Sequence, residues 1–211
     1  LQRRMMNPDV KVEVNNCDPH LTHAATACFT SPFDEGVCAV IDGFGESTST
    51  TMDYPLDVLA VGQALQEKYP ELPVAVVGAS MGAAMSACAM ALPGHPFKAA
   101  VLESAFPTLL HFWSRYPIPK LGVQFGKLIH PAGERRMRPI HAAENLVGSP
   151  NVLLIYGEKD IYTPVKDGKL LLKALQQKTP TEFWQVPGAD HTHAYGVQKE
   201  EYAKRVIAFL N

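Results

Sequence analysis

The stretch Val74-Ala75-Val76-Val77-Gly78-Ala79-Ser80-Met81-Gly82, followed at once by the small-residue run Ala83 to Leu92, decides how this chain is read. A short apolar, β-branched run of this kind is a strand buried on both faces. The run after it carries Ala83, Ala84, Ala87, Cys88, Ala89 and Ala91 on nearly all sides of a helix, so it can lie close to a sheet and be buried by its neighbours all round. Between the two stands G-x-S-x-G with Ser80 at its centre. A serine in a strained strand-to-helix turn points its hydroxyl outward, and flanking glycines let strand and helix approach without a Cβ clash. The five-residue pattern alone arises by chance in roughly one chain of this length in fifteen, at ~7% each for Gly and Ser. The strand before it and the helix after it give it weight.

Outward from this elbow, short apolar runs alternate with helical patterns, the mark of a parallel sheet covered by helices. Strands are predicted at Lys11 to Asn15, Val37 to Asp42, Val74 to Gly78, Ala99 to Glu103, Val152 to Tyr156 and Glu182 to Val186. Helices are predicted at about Leu21 to Phe29, Pro55 to Tyr69, Met81 to Leu92, Val165 to Lys178 and Lys199 to Leu210. The second of these puts Val58, Val61, Leu65 and Tyr69 at helical spacing and is framed by Pro55 and Pro70. Residues 104–149 break the rhythm with Phe106, Phe112, Trp113, Tyr116 and Phe125 among five prolines. A connection this long inside a compact domain is usually functional, and it is read as a small lid in which Phe106 and Trp113 contact substrate.

The 211 residues suit a single α/β domain, a three-layer sandwich with a mostly parallel central sheet. With 46% apolar and 19% charged residues the chain folds rather than staying disordered. Its 19 basic and 21 acidic side chains nearly cancel, which excludes the electrostatic footprint of a nucleic-acid or anionic-membrane binder. Arg135, Arg136 and Arg138 form the one basic group, read as a solvated surface stretch. Cys17, Cys28, Cys38 and Cys88 contain no C-x-x-C pair and read as reduced core residues of a cytoplasmic protein. No apolar run approaches the ~18 residues of a membrane span, and no cofactor or metal is implied.

A serine hydroxyl is unreactive at neutral pH without a base in hydrogen-bond reach and a carboxylate that fixes the tautomer of that base. The acid is best placed in Leu154-Ile155-Tyr156-Gly157-Glu158-Lys159-Asp160, just beyond a strand. A turn or helix-start carboxylate is the plain alternative for Asp160, and Asp167, inside the next helix, is a poorer candidate. The base is best placed in Val186-Pro187-Gly188-Ala189-Asp190-His191, again past the C-terminal end of a strand, where open α/β sheets keep their sites. His193 lies two residues on and competes for the role.

Residues from about 55 to 211 resemble the α/β-hydrolase family through G-A-S-M-G, L-E-S-A-F after the next strand, L-L-I-Y-G-E-K-D-I-Y-T-P and V-P-G-A-D-H. The resemblance implies Ser80 as nucleophile, Asp160 as acid, His191 as base and the Met81 backbone N–H as one oxyanion donor. It further implies cleavage of a small-molecule carboxylic ester or thioester through an acyl-Ser80 intermediate. An acyltransferase or peptidase on the same residues, and a hydrolase fold with weak or no turnover, stay open.

The first fifty residues differ. His20-Leu21-Thr22-His23, Ser31-Pro32-Phe33-Asp34-Glu35 and Val40-Ile41-Asp42-Gly43-Phe44-Gly45-Glu46 resemble the N-terminal part of O-carbamoyltransferases over about residues 11–50. Those enzymes hold a metal with two histidines four apart, and four before His23 stands Pro19, which cannot ligate. A remnant of such a unit implies one βαβ segment replacing the usual first strands of the hydrolase sheet. The chain has no His-Gly to mark the second oxyanion donor. That donor is expected from the turn at Cys17-Asp18, from the amide of Asp18 or Cys17, because Pro19 has no N–H.

Overall fold

The computed structural model describes residues 37–41, 54–113 and 137–210, with the backbone alone described in 37–41. The expected strand 11–15, helix 21–29, the Cys17-Asp18 turn and the central part of the 104–149 segment lie outside the described residues. Five strands pair in parallel in chain order: β1 (Val37–Ile41), β2 (Val74–Ala79), β3 (Phe97–Glu103), β4 (Asn151–Gly157) and β5 (Thr181–Val186). The register places Ile41 beside Gly78, Gly78 beside Leu102, and Glu103 beside Ile155. The C-terminal ends of β2, β3 and β4 therefore form one rim.

The helices are α1 (Tyr54–Lys68), α2 (Met81–Ala89), α3 (Leu109–Trp113), α4 (Pro139–Glu144), α5 (Val165–Leu175), α6 (Ala194–Val197) and α7 (Lys199–Leu210). Strands that advance in one direction through right-handed crossovers put every crossover helix on the same face. The core obeys this. Val76, Ala100, Leu102, Val152, Leu154 and Tyr156 face a layer of α1, α2, α4 and α5, while Val77, Val101, Leu153 and Ile155 face α7 with Trp184, Tyr202 and Val206. Neighbouring strand residues thus alternate between the two faces, and both are apolar because both are covered. This is the parallel, helix-flanked α/β architecture the sequence predicts. Among the described residues no helix is long and apolar enough to cross a membrane.

Three local differences have physical reasons. In α1 the buried face runs through Pro55, Val58 and Gly62, while Val61 is exposed, because Gly62 rather than Val61 faces the Phe97 ring. Helix α2 stops at Ala89, ahead of the predicted Leu92. Its end tightens through Ala91 N–H to Cys88 O and Leu92 N–H to Ala89 O, and Pro93 disfavours helical backbone at the residue before it. Finally, part of the segment read as a lid belongs to the core. Met137, Ala142 and Ala143 are buried, and α4 packs between α2 and α5.

Candidate active site

Ser80 sits between β2 and α2 with φ 52° and ψ −114°, a conformation L-residues rarely adopt. Two things hold it there. The Ser80 N–H donates to Glu103 O at 2.8 Å, and Gly78 leaves the room the turn needs. A Cβ on Gly78 would stand 2.7 Å from the backbone of Gly82 and Ala83. A serine at a helix start ordinarily caps the helix with its hydroxyl. Ser80 occupies the cap position of α2 but makes no side-chain cap bond. Its Oγ lies instead 2.8 Å from His191 Nε2.

His191 follows β5, and its ring is about one-fifth exposed. Its Nδ1 lies 2.8 Å from Asp160 Oδ2. Asp160 is buried at 4% relative exposure and surrounded by donors. Oδ1 accepts the Tyr162 and Thr163 amides at 2.8 and 2.9 Å. Oδ2 accepts Thr163 Oγ1 at 2.6 Å and Ser104 Oγ at 2.9 Å. Burial pushes the Asp160 carboxyl up, but the hydrogen bonds from His191 and Thr163 outweigh it and hold the group below its usual range. An ionised carboxylate only accepts, so Nδ1 carries the imidazole proton, and the bare Nε2 accepts the Ser80 hydroxyl proton. Ser80, His191 and Asp160 form one continuous chain of hydrogen bonds. Such a chain can raise the nucleophilicity of the hydroxyl and store its proton on imidazole.

Met81, half-buried, opens α2, where the first amides have no intrahelical acceptor. Asp18 lies outside the described residues. His193 is exposed and packs its ring on Gly196, while His191 reaches Ser80. Thr192, between them, has φ 52°, and this left-handed step separates the directions of the two rings. Asp167 is bonded to His111 of α3, Nε2 to Oδ1 3.1 Å. The turn reading of Asp160 describes half of what its carboxylate does. Oδ1 serves the local turn, and Oδ2 meets His191 as well as the Thr163 and Ser104 hydroxyls.

Phe106, expected against substrate, is fully buried in the main core beside Phe112. Trp113 ends α3. The aromatic ring at the histidine is Tyr162, edge-on to His191 at 5.3 Å, with Ile161 70% exposed next to it. Sequence reasoning missed Tyr162 as well as Thr163 and Ser104. All three stand in I-Y-T-P and L-E-S-A-F, segments that carry the resemblance, but the sequence does not say what their side chains meet. Of the cysteines, Cys88 is buried and free, and burial pushes its thiol well above the ordinary range. Among the described residues no cluster of three or more metal-ligating side chains occurs. Arg138 precedes α4, and Arg135 and Arg136 lie outside the described residues.

Residues 54–211 match the prolyl oligopeptidase family. The chain belongs to it. No curated protein matches the sequence. Solved structures share the fold. An esterase of Pyrococcus furiosus is 20% identical with a TM-score of 0.60, over 80% of this chain and 66% of its own. Pyrococcus horikoshii acylaminoacyl peptidase is 18% identical with a TM-score of 0.57, over 74% of this chain and 27% of its own. A Mycobacterium tuberculosis puromycin-hydrolyzing peptidase is 24% identical with a TM-score of 0.60, over 75% and 25%. The chain thus spans 66% of the esterase and about a quarter of the peptidases in length. The family match begins at residue 54, and no comparison bears out the carbamoyltransferase likeness of residues 11–50.

Proposed function

We propose that this member of the prolyl oligopeptidase family is a serine hydrolase that cleaves a small carboxylic ester or thioester through an acyl-Ser80 intermediate. The observation that carries the reading is the unbroken relay from Ser80 Oγ through His191 to the buried Asp160 carboxylate, 2.8 Å at each step. Ser80 Oγ attacks the carbonyl carbon as its proton passes to His191 Nε2, and Asp160 stabilises the imidazolium across Nδ1. The tetrahedral oxyanion takes the Met81 N–H. Nε2 returns the proton to the leaving group as the C–O or C–S bond breaks. Water then repeats the cycle on the acyl-enzyme, releasing the acid and restoring Ser80. The Tyr162 ring at His191, with the exposed Ile161 next to it in the chain, favours an apolar group on the substrate.

A peptidase reading has its own support in the family and in the two peptidases of like fold. A fluorophosphonate probe labels the wild type and not Ser80→Ala. Parallel assays with p-nitrophenyl esters and aminoacyl nitroanilides separate the two readings, and turnover of either is lost in Ser80→Ala and His191→Ala. An unlabelled wild type with no turnover of either substrate refutes both. Full loss in His193→Ala with His191→Ala still active would move the base to His193.

A further inference from the structure

We infer that Glu103, the last residue of β3, and Ser104, which follows it, are positioning residues holding the nucleophile, the histidine loop and the acid in register. The inference rests on reading Ser80, His191 and Asp160 as a hydrolytic triad, and it concerns two residues outside that triad.

The three reactive side chains come from segments that follow β2, β4 and β5, and β3 lies between β2 and β4. Its last residue and the one after it bond to all three segments. Glu103 O accepts the Ser80 amide at 2.8 Å, fixing the elbow from the neighbouring strand. The carboxylate of Glu103, 3% exposed, turns to the other side of the sheet. Oε1 accepts the Ala194 N–H at 3.0 Å and Oε2 the Tyr202 hydroxyl at 3.2 Å. That bond pins the histidine loop three residues past His191 and ties it to α7. A buried carboxylate is costly unless its oxygens are bonded, so the loop amide and the tyrosine keep this one in place.

Ser104 completes the set. Its N–H donates to Ile155 O at 2.8 Å, joining the end of β3 to β4, the strand that leads to Asp160. Its Oγ donates to Asp160 Oδ2 at 2.9 Å and accepts the Thr192 N–H at 3.3 Å. One hydroxyl therefore touches both the acid and the residue after the base. Its φ of 55° also makes Ser104 a turn residue for which glycine would serve. The turn role and the hydroxyl role predict opposite results for glycine.

The test compares Ser104→Ala, Ser104→Gly, Glu103→Gln and Glu103→Leu with wild type in ester turnover, each checked for folding by circular dichroism. Ser104→Ala and Ser104→Gly both lose about tenfold in kcat with KM unchanged, the effect of one misaligned hydrogen bond. Glu103→Gln keeps an oxygen for the Ala194 amide and retains most of kcat. Glu103→Leu has none and loses about 10²-fold. Alignment is also read without turnover, from the downfield proton resonance of His191 Nδ1–H on Asp160, which shifts or vanishes in both Ser104 variants. Wild-type kcat in Ser104→Gly overturns the inference and leaves Ser104 a turn residue. So does a resonance unchanged in both Ser104 variants, or a Glu103→Leu protein as active as wild type. A wild type inert to fluorophosphonate and to substrates, whose resonance still responds to Ser104, refutes the hydrolytic reading while the positioning role stands.

Discussion

Replacing Thr163 by valine removes one hydroxyl from a fully buried position and keeps the side-chain shape. That hydroxyl donates to Asp160 Oδ2 at 2.6 Å. A hydrogen bond to a charged group is worth about 1.5–3 kcal/mol. The lower half of that range applies, because Oδ2 keeps Ser104 and His191 as donors and Oδ1 keeps both amides. The expected loss at pH 7 is therefore about 1.5–2 kcal/mol, and roughly 3–8 °C in Tm for a domain of this size. The pH dependence carries the sign. The folded Asp160 carboxyl is held below its usual value, so its bonds stabilise the fold above the unfolded value of ~3.9, and that stability is lost as pH falls through the folded value. Thr163→Val raises the folded value. Its deficit is full at neutral pH and narrows below about pH 4. Urea unfolding of both proteins, at pH 7 and stepwise down to the lowest pH at which both fold, measures this. A deficit of equal size at every pH would mean that Thr163 acts by packing. One below ~0.5 kcal/mol at pH 7, smaller than a net neutral hydrogen bond, would refute the charge-assisted bond.

Asp160→Asn keeps the size of the acid but can hold the wrong tautomer of His191, and should lower kcat by about 10⁴-fold in ester turnover with the fold intact by circular dichroism. Gly157→Ala places a Cβ 2.5 Å from the carbonyl oxygens of Ala189 and Asp190; the histidine loop must move, with kcat down about 10²-fold and a displaced His191 visible by crystallography. Phe106→Ala should cost about 3–5 kcal/mol in denaturant unfolding and leave KM unchanged. A raised KM with stability retained would return Phe106 to the substrate pocket.

The elbow was legible because its physics is local. Strand, glycine, serine, glycine and helix are contiguous, and each constrains the next. The ends of the five described strands were missed by no more than two residues for the same reason, since apolar runs mark a buried strand better than its first pairing. The hydroxyl partners of Asp160 were not legible. Ser104 stands 56 residues from it in sequence, and nothing in L-E-S-A-F says what its hydroxyl will meet until β3 and β4 lie side by side. The choice between His191 and His193 also depended on a tertiary fact, that His191 reaches Ser80 while His193 lies on Gly196. Phe106 misled because an aromatic in a proline-rich connection reads as surface until the layer of α2, α4 and α5 is assembled over it.

Ser80, Ser104 and Thr192 all have φ between 52° and 55° without being glycine. Left-handed backbone costs an L-residue about 1–2 kcal/mol, so three such residues on one rim take a noticeable share of a total stability of about 5–15 kcal/mol. Two of them present hydroxyls to the relay. For anyone breeding a hardier variant by heat selection, this rim is where the screen misleads. Glycine at these positions relaxes the backbone and survives the heating step, while removing the oxygens on which the proposed chemistry depends. A library filtered for heat tolerance has to hold positions 80 and 104 fixed, or it will enrich well-folded proteins that do nothing.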